Sequence, residues 1–253
     1  MENVQIIILA AGKGTRMQSE LPKALTPLRG MPFLVHVLAA VKDIGISEKP
    51  IFVVGHKKDQ VINTIGGEYQ YAHQDEQLGT GHAVKITEQH IGKDKDVIVV
   101  LFSDQPLMRG ATIKKLIEEH RNNPDAILTM ATTEITDFNE WRKDAFDNFG
   151  RIIRNADGDV ERIVERKNAT EHEQKITEVN PAYFVFNGPW MWEKLRELKN
   201  DNAQGEYYLV DLPHLAFQEG KRIHTVPIRM EEALGANTKE QLALLEKFYN
   251  ELQ

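Results

Sequence analysis

Val4-Gln-Ile-Ile-Ile-Leu-Ala-Ala-Gly-Lys-Gly-Thr-Arg-Met17 is the stretch that decides the fold. Its first part, residues 4–11, is an aliphatic and β-branched run that reads as a buried strand. Its second part, Gly12-Lys13-Gly14-Thr15-Arg16, turns into a basic tail ending at Lys23. Glycine takes up positive φ and lets backbone N–H groups come close to an anion, and Lys13, Arg16 and Lys23 add mobile positive charge. The loop reads as a phosphate cradle. As a bare pattern it is equally a glycine-rich turn at a strand end: Met17 stands where a dinucleotide fingerprint has its third glycine, and the Walker A spacing is absent.

Outward from this loop, apolar runs alternate with amphipathic stretches. Residues 51–55, 97–102 and 126–132 read as further strands. Residues 32–44, 59–65, 79–90 and 111–120 have helical spacing. Strands of this kind separated by helices predict βαβ units: an α/β fold with a Rossmann-like, mostly parallel mixed sheet and helices on both faces. The pattern changes after Thr133. Residues 138–148 carry charge without clean periodicity and read as an irregular excursion. A hairpin is expected at 150–155 and 160–165 around Ala-Asp-Gly-Asp, then a strand at 179–186 and a helix at 207–219 closed by Gly220. An amphipathic helix is expected at 238–252. The expected organisation is a main domain over 1–237, with a ligand-covering lobe within about 134–230, followed by a C-terminal helix over 238–253.

With 253 residues, 41% hydrophobic and 27% charged, the chain has the make-up of a globular enzyme. A formal charge of −7 argues against general affinity for nucleic acid or an anionic membrane. Any anionic substrate must be met by a local cluster of cations and N–H groups. The absence of cysteine excludes disulfides, thiolate metal sites and a cysteine nucleophile. Nine histidines occur, none in a His-x-x-x-His spacing, and none is given a catalytic role. The start Met-Glu-Asn-Val lacks a basic leader and the run 6–11 is too short to span a membrane, so a cytoplasmic location is expected.

Further motifs follow the loop: Leu21-Pro-Lys-Ala-Leu25, Gln77-Leu-Gly-Thr-Gly-His-Ala83, Asp104-Gln-Pro-Leu107, Phe149-Gly-Arg-Ile152, Asn202-Ala-Gln-Gly-Glu-Tyr-Tyr208 and Gly235-Ala-Asn237. On spacing alone, Asp104 is also a turn-capping aspartate before Pro106, Asn237 the neighbour of a helix cap, and Gln74 a loop glutamine. With these motifs, the chain resembles the sugar-nucleotide pyrophosphorylases, a nucleotidyltransferase family. Within that family it is most similar to the N-terminal uridylyltransferase domain of the bifunctional N-acetylglucosamine-1-phosphate uridylyltransferases. The likeness extends over nearly the whole chain.

The resemblance implies a nucleotide-diphospho-sugar transferase type of fold and transfer of a nucleotidyl group from UTP to a sugar 1-phosphate, with N-acetylglucosamine 1-phosphate first in line. Mg²⁺ would be the cofactor, held by Asp104 and Asn237. Arg16 and Lys23 would be catalytic. Leu9, Ala10, Ala11, Gly12, Gly14, Gln74, Gln77, Gly79 and Thr80 would bind the nucleotide; Gly150, Glu165, Asn180 and Tyr208 would bind the sugar. Another sugar 1-phosphate, dTTP in place of UTP, or an idle nucleotide-sugar-binding relative are the alternatives.

Two departures from the family pattern lie near the sugar: Ser103 replaces a glycine, and Asn180-Pro181-Ala182 replaces Asn-Thr-Gly. The connection 133–148 is also longer than usual. No hexapeptide repeat occurs, so the acetyltransferase activity of the bifunctional enzymes is not expected. The last helix, like their connecting arm, must either pack on its own domain or mediate self-association.

Overall fold

The structure, a computed structural model, describes residues 2–14 and 20–251. The chain opens with β1 (Val4–Leu9), buried along its whole length. A two-stranded ribbon, β2 (Pro27–Leu28) and β3 (Met31–Pro32), leads into α1 (Phe33–Lys42). Then come β4 (Ile51–Val54), α2 (Lys58–Ile65), β5 (Gln70–His73) and α3 (Thr80–Lys85). β6 (Val97–Phe102), α4 (Gly110–Asn122), β7 (Ala126–Glu134) and α5 (Glu140–Phe146) follow. The hairpin β8 (Gly150–Arg154) and β9 (Val160–Val164) precedes β10 (Glu178–Asn180), β11 (Phe184–Asn187) and α6 (Gly188–Leu195). The chain continues with α7 (Leu212–Gln218), β12 (Arg222–Pro227) and α8 (Lys239–Glu251).

Ten strands form one mixed sheet in the order β5-β4-β1-β6-β11-β7-β10-β8-β9, with β12 pairing β7. The pairs β5–β4, β4–β1, β1–β6 and β7–β12 are parallel; β11 is antiparallel to both β6 and β7. This is the mostly parallel α/β sheet expected from the alternation of strands and helices. From β1 the chain goes to β4 on one side and later to β6 on the other, so the order reverses between β1 and β6. Open α/β sheets bind ligands at such a reversal, beyond the carboxyl ends of the strands. Two large apolar clusters cover the two faces, one around Ile6, Ile8 and Val99 and the other around Ile7, Ile98 and Val100. Successive residues of β1 thus point to opposite sides, as strand geometry requires.

Several expectations change. The strand expected at 179–186 is two strands, because Pro181 and Ala182 break it and Ala182 sits at φ +66°. Residues 138–148 contain the helix α5, whose Trp141 and Phe146 pack in a third apolar cluster with Phe248 of α8. That burial, rather than any periodicity, makes it helical. The helix expected at 79–90 is the short α3 followed by a single 3₁₀ turn at Glu88–His90. The helix expected at 207–219 starts only at Leu212, after a 3₁₀ turn at Leu209–Asp211. Gly220 closes it at φ +63° as anticipated. The α8 helix lays Leu245 and Phe248 into the third cluster, so its apolar face packs on its own domain. Among the described residues no helix is long and apolar enough to cross a membrane.

Candidate functional site

The carboxyl ends of β1 and β6 open into a cavity of about 250 Å³. Its floor is Leu9, Ala11 and Gly12 on one side and Phe102, Ser103 and Asp104 on the other. The two strand ends are locked in register, the Ser103 N–H donating to the Leu9 carbonyl at 3.1 Å. Gly14, at φ +66°, lies against Lys23: a Cβ there would come within 3.0 Å of the lysine Cβ. The glycine loop and Lys23 are therefore in contact. Arg16 lies outside the described residues.

Lys23, Asp104 and Asn237 come from three distant points of the chain and meet here. The Lys23 ammonium donates to the Asn237 Oδ1 at 2.6 Å and is ion-paired with the Asp104 carboxylate. The turn Gly235-Ala236-Asn237 is seated on the strand end, with the Ala236 N–H reaching the Asp104 carbonyl at 3.3 Å. A Cβ on Gly235 would sit 3.1 Å from that same carbonyl, so only glycine packs there without displacement. Two oxygen donors converging on one positive charge is a donor set suited to Mg²⁺, which takes one or two protein oxygens and keeps waters or phosphate oxygens for the rest. Among the described residues no group of three or more His, Cys, Asp or Glu gathers as an alternative metal site.

Opposite the floor, Gln74, Gln77, Gly79, Thr80 and Glu206 line the cavity. The segment around Gly79 is clasped to the Glu206–Leu209 region by backbone bonds. Tyr207 N–H donates to Leu78 O at 2.8 Å, and Gly81 N–H to Tyr207 O at 2.8 Å. Leu209 N–H donates to the Thr80 hydroxyl at 2.9 Å. Gly79 sits at φ +100°, and a Cβ would stand 2.5 Å from the Tyr207 carbonyl. The two motifs Gln77–Ala83 and Asn202–Tyr208, far apart in sequence, thus form one wall. Gln77 donates to the Ala11 carbonyl at 3.0 Å, tying that wall to the glycine loop. Ala10 is held by the neighbouring strand, its N–H donating to Val53 O at 2.8 Å.

Of the four residues expected at the sugar, Gly150, Glu165 and Asn180 are neighbours. Asn180 pairs with Gly150 across β10 and β8, and a Cβ on Gly150 would lie 3.4 Å from a Glu165 carboxylate oxygen. Burial raises the Glu165 carboxyl above the usual range; Lys167 opposes the shift and Asp211 adds to it. Asp211 is itself raised, first by burial. Tyr208 donates its hydroxyl to Gln204 at 2.8 Å, and its own pKa is raised first by burial and then by Glu206 and Asp211. Asn180 accepts the Ala182 N–H at 2.8 Å on its Oδ1. The sequence departure at Ala182 therefore keeps a glycine-like conformation, held by that bond.

Sequence reasoning gives three neighbours of the site no role in it, reading His82 as a packing residue. Gln105 is buried beside Asp104 and donates to the Pro181 carbonyl at 2.8 Å, linking the strand end to the altered Asn180-Pro181-Ala182 segment. His82 accepts from the Gln74 amide at 3.2 Å. Gln241 accepts the Asn237 N–H at 2.6 Å. Only the position of His82 inside the Gln77–Ala83 motif offered a signal; the other two contacts depend on tertiary packing.

The MobA-like NTP transferase domain model matches residues 6–212. The bifunctional protein GlmU of Streptococcus agalactiae is 38% identical over 242 residues, which is 95% of this chain and 50% of that one. The Staphylococcus epidermidis GlmU is likewise 38% identical, over 95% of this chain and 51% of its own length. The chain thus spans about half the length of these relatives. Among solved structures, a Bacillus anthracis protein assigned as a glucose-1-phosphate thymidylyltransferase superimposes with a TM-score of 0.76 at 20% identity, covering 97% of this chain and 94% of the other. A CMP:2-keto-3-deoxy-manno-octonic acid synthetase complexed with CTP gives 0.71 at 16% identity, with 99% of each chain covered. At these identities the two structures establish a shared fold, and with the match over residues 6–212 the chain belongs to the MobA-like NTP transferase domain family.

Proposed function

We propose that the chain transfers a uridylyl group from UTP to a sugar 1-phosphate, releasing pyrophosphate, and that N-acetylglucosamine 1-phosphate is the first acceptor to test. The observation that carries this reading is the meeting of Lys23 with Asp104 and Asn237 beside the glycine loop, at the sheet's reversal point. An acceptor phosphate oxygen attacks the α-phosphorus and the bond to the pyrophosphate oxygen breaks. Charge grows on the non-bridging and leaving oxygens, so fixed positive charge and alignment do the work. No covalent intermediate is needed.

In this reading Asp104 and Asn237 would hold Mg²⁺, which would supply charge neutralisation for the triphosphate, and Lys23 serves the phosphates together with Arg16. Backbone groups of Leu9, Ala10, Ala11, Gly12 and Gly14 hold the nucleotide. Gln74, Gln77, Gly79 and Thr80 address the base. Gly150 admits the sugar ring, Glu165 and Asn180 meet its hydroxyls, and Tyr208 forms a side wall. The lobe within about 134–230 covers the acceptor while 1–237 acts as one transferase domain, with 238–253 as a bracing helix. A cytoplasmic location follows from these substrates.

A coupled pyrophosphate assay with UTP, dTTP and CTP against a panel of sugar 1-phosphates tests the reading. Magnesium-dependent release with UTP and N-acetylglucosamine 1-phosphate is expected. Silence with every pair, while nucleotide still binds, would favour an idle relative instead.

A further inference from the structure

Gln74 is only 4% exposed yet lines the cavity, and both hydrogens of its amide are committed. One goes to the Gly79 carbonyl at 2.9 Å, the other to the His82 Nδ1 at 3.2 Å. A carbonyl oxygen can only accept, so the group facing Gly79 must be the NH₂. The amide orientation is therefore dictated by its partners. Among the described residues no donor is paired with the Gln74 Oε1, which leaves an acceptor for the cavity's occupant.

We propose that His82 is a specificity-determining positioning residue of the base site, locking the Gln74 amide so that an acceptor, not a donor, meets the pyrimidine edge. The proposal deepens the uridylyl reading above and rests on it. Uracil and thymine carry N3–H, a donor that matches Oε1; cytosine carries an N3 lone pair, which an acceptor repels. One bond to Gly79 alone leaves the amide free to swing about its last torsion. The second, to His82, removes that freedom.

His82 is suited to accept. The Gln74 amide nitrogen can only donate, so the Nδ1 that faces it at 3.2 Å is the accepting nitrogen and the proton of the neutral ring sits on Nε2. Burial first, and then Lys85, lower the pKa of the ring against the opposing Glu76, which keeps it neutral near pH 7. The ring is not itself a lining group of the cavity, so it acts through Gln74.

Calorimetric binding of UTP and CTP to the wild-type chain, His82→Phe and His82→Asn tests the lock without depending on the acceptor sugar. The wild type is expected to prefer UTP. His82→Phe should cut the UTP-to-CTP affinity ratio about tenfold, the usual scale for a mispaired buried polar group. His82→Asn, which returns an amide oxygen near the Nδ1 position, should restore most of it at an unchanged melting temperature. If the phenylalanine variant does not fold, His82→Leu takes its place in the same comparison. A wild-type UTP preference with an unaltered ratio in the variant, or an equal loss for both nucleotides, overturns the lock and leaves the uridylyl reading standing. A wild type that binds neither nucleotide, or does not distinguish them, overturns both.

Discussion

The Gln241 side chain accepts the backbone N–H of Asn237 at 2.6 Å while donating to the Asp144 carbonyl at 2.9 Å. The excursion after Thr133 is thereby connected, through α8, to the turn that presents Asn237 to the cavity. Gln241→Leu keeps the volume of the side chain and removes both bonds. Half-saturating magnesium in the pyrophosphate assay should rise about tenfold, as expected when an outer partner of a metal ligand is lost. An unchanged magnesium requirement would separate Asn237 from this support.

Asp104→Asn keeps the shape of the side chain and removes its charge. Turnover should fall by about 10²–10³-fold, the range seen when one fixed electrostatic group is lost from a transfer site. Calorimetry should still detect nucleotide, because the glycine loop and the base wall are untouched. Wild-type turnover by this variant would remove Asp104 from the site.

Ala182 holds φ +66°, a conformation that costs an L-residue roughly 1–2 kcal/mol and glycine almost nothing. Glycine also loses more entropy on folding, by about 0.5–1 kcal/mol, so the net gain for Ala182→Gly should be near 0.5–1 kcal/mol. Urea unfolding of the two proteins measures it directly. A destabilised glycine variant would mean that the methyl group contributes more through packing than it costs in backbone strain.

His120 is buried against the Thr129 hydroxyl at 3.0 Å, and burial lowers its pKa from 6.5 to about 4. The folded state thus resists protonation more than the unfolded chain does. Its contribution to stability is fully present above pH 6.5 and is lost as the pH falls from there toward 4. The loss is of order 3 kcal/mol over that window. Unfolding free energies measured between pH 7 and 4 should decline accordingly, and His120→Gln should flatten the decline. A slope identical in the variant would assign the acid sensitivity to other groups.

Much of this molecule is legible in the order of its residues. The buried run of β1, the glycines after it and Asp104 at the end of β6 follow from strand patterning and turn chemistry, which are local. The meeting of Lys23 with Asn237, 214 positions apart, was reached only by resemblance, since no local rule measures that distance. Other features could not be read. α5 is helical because Trp141 and Phe146 find Phe248, and β12 is a strand because β7 offers it an open edge. The departure at Pro181-Ala182 is visible in the sequence and lies near the expected sugar pocket, but the break it makes in the strand, the positive φ of Ala182 and the tie to Gln105 emerge only when β10, β11 and the Asp104 loop are assembled.

The wall joining Leu78, Gly81 and Tyr207 is built from main-chain groups. Side-chain replacement away from Gly79 leaves such bonds in place; a proline at position 81 or 207 would remove an N–H from the ladder, and a Cβ at Gly79 would push on the Tyr207 carbonyl. The cleft can therefore exchange the residues that read its occupant one at a time while its aperture stays constant. Diversification of substrate choice on this scaffold is thereby uncoupled from the width of the opening.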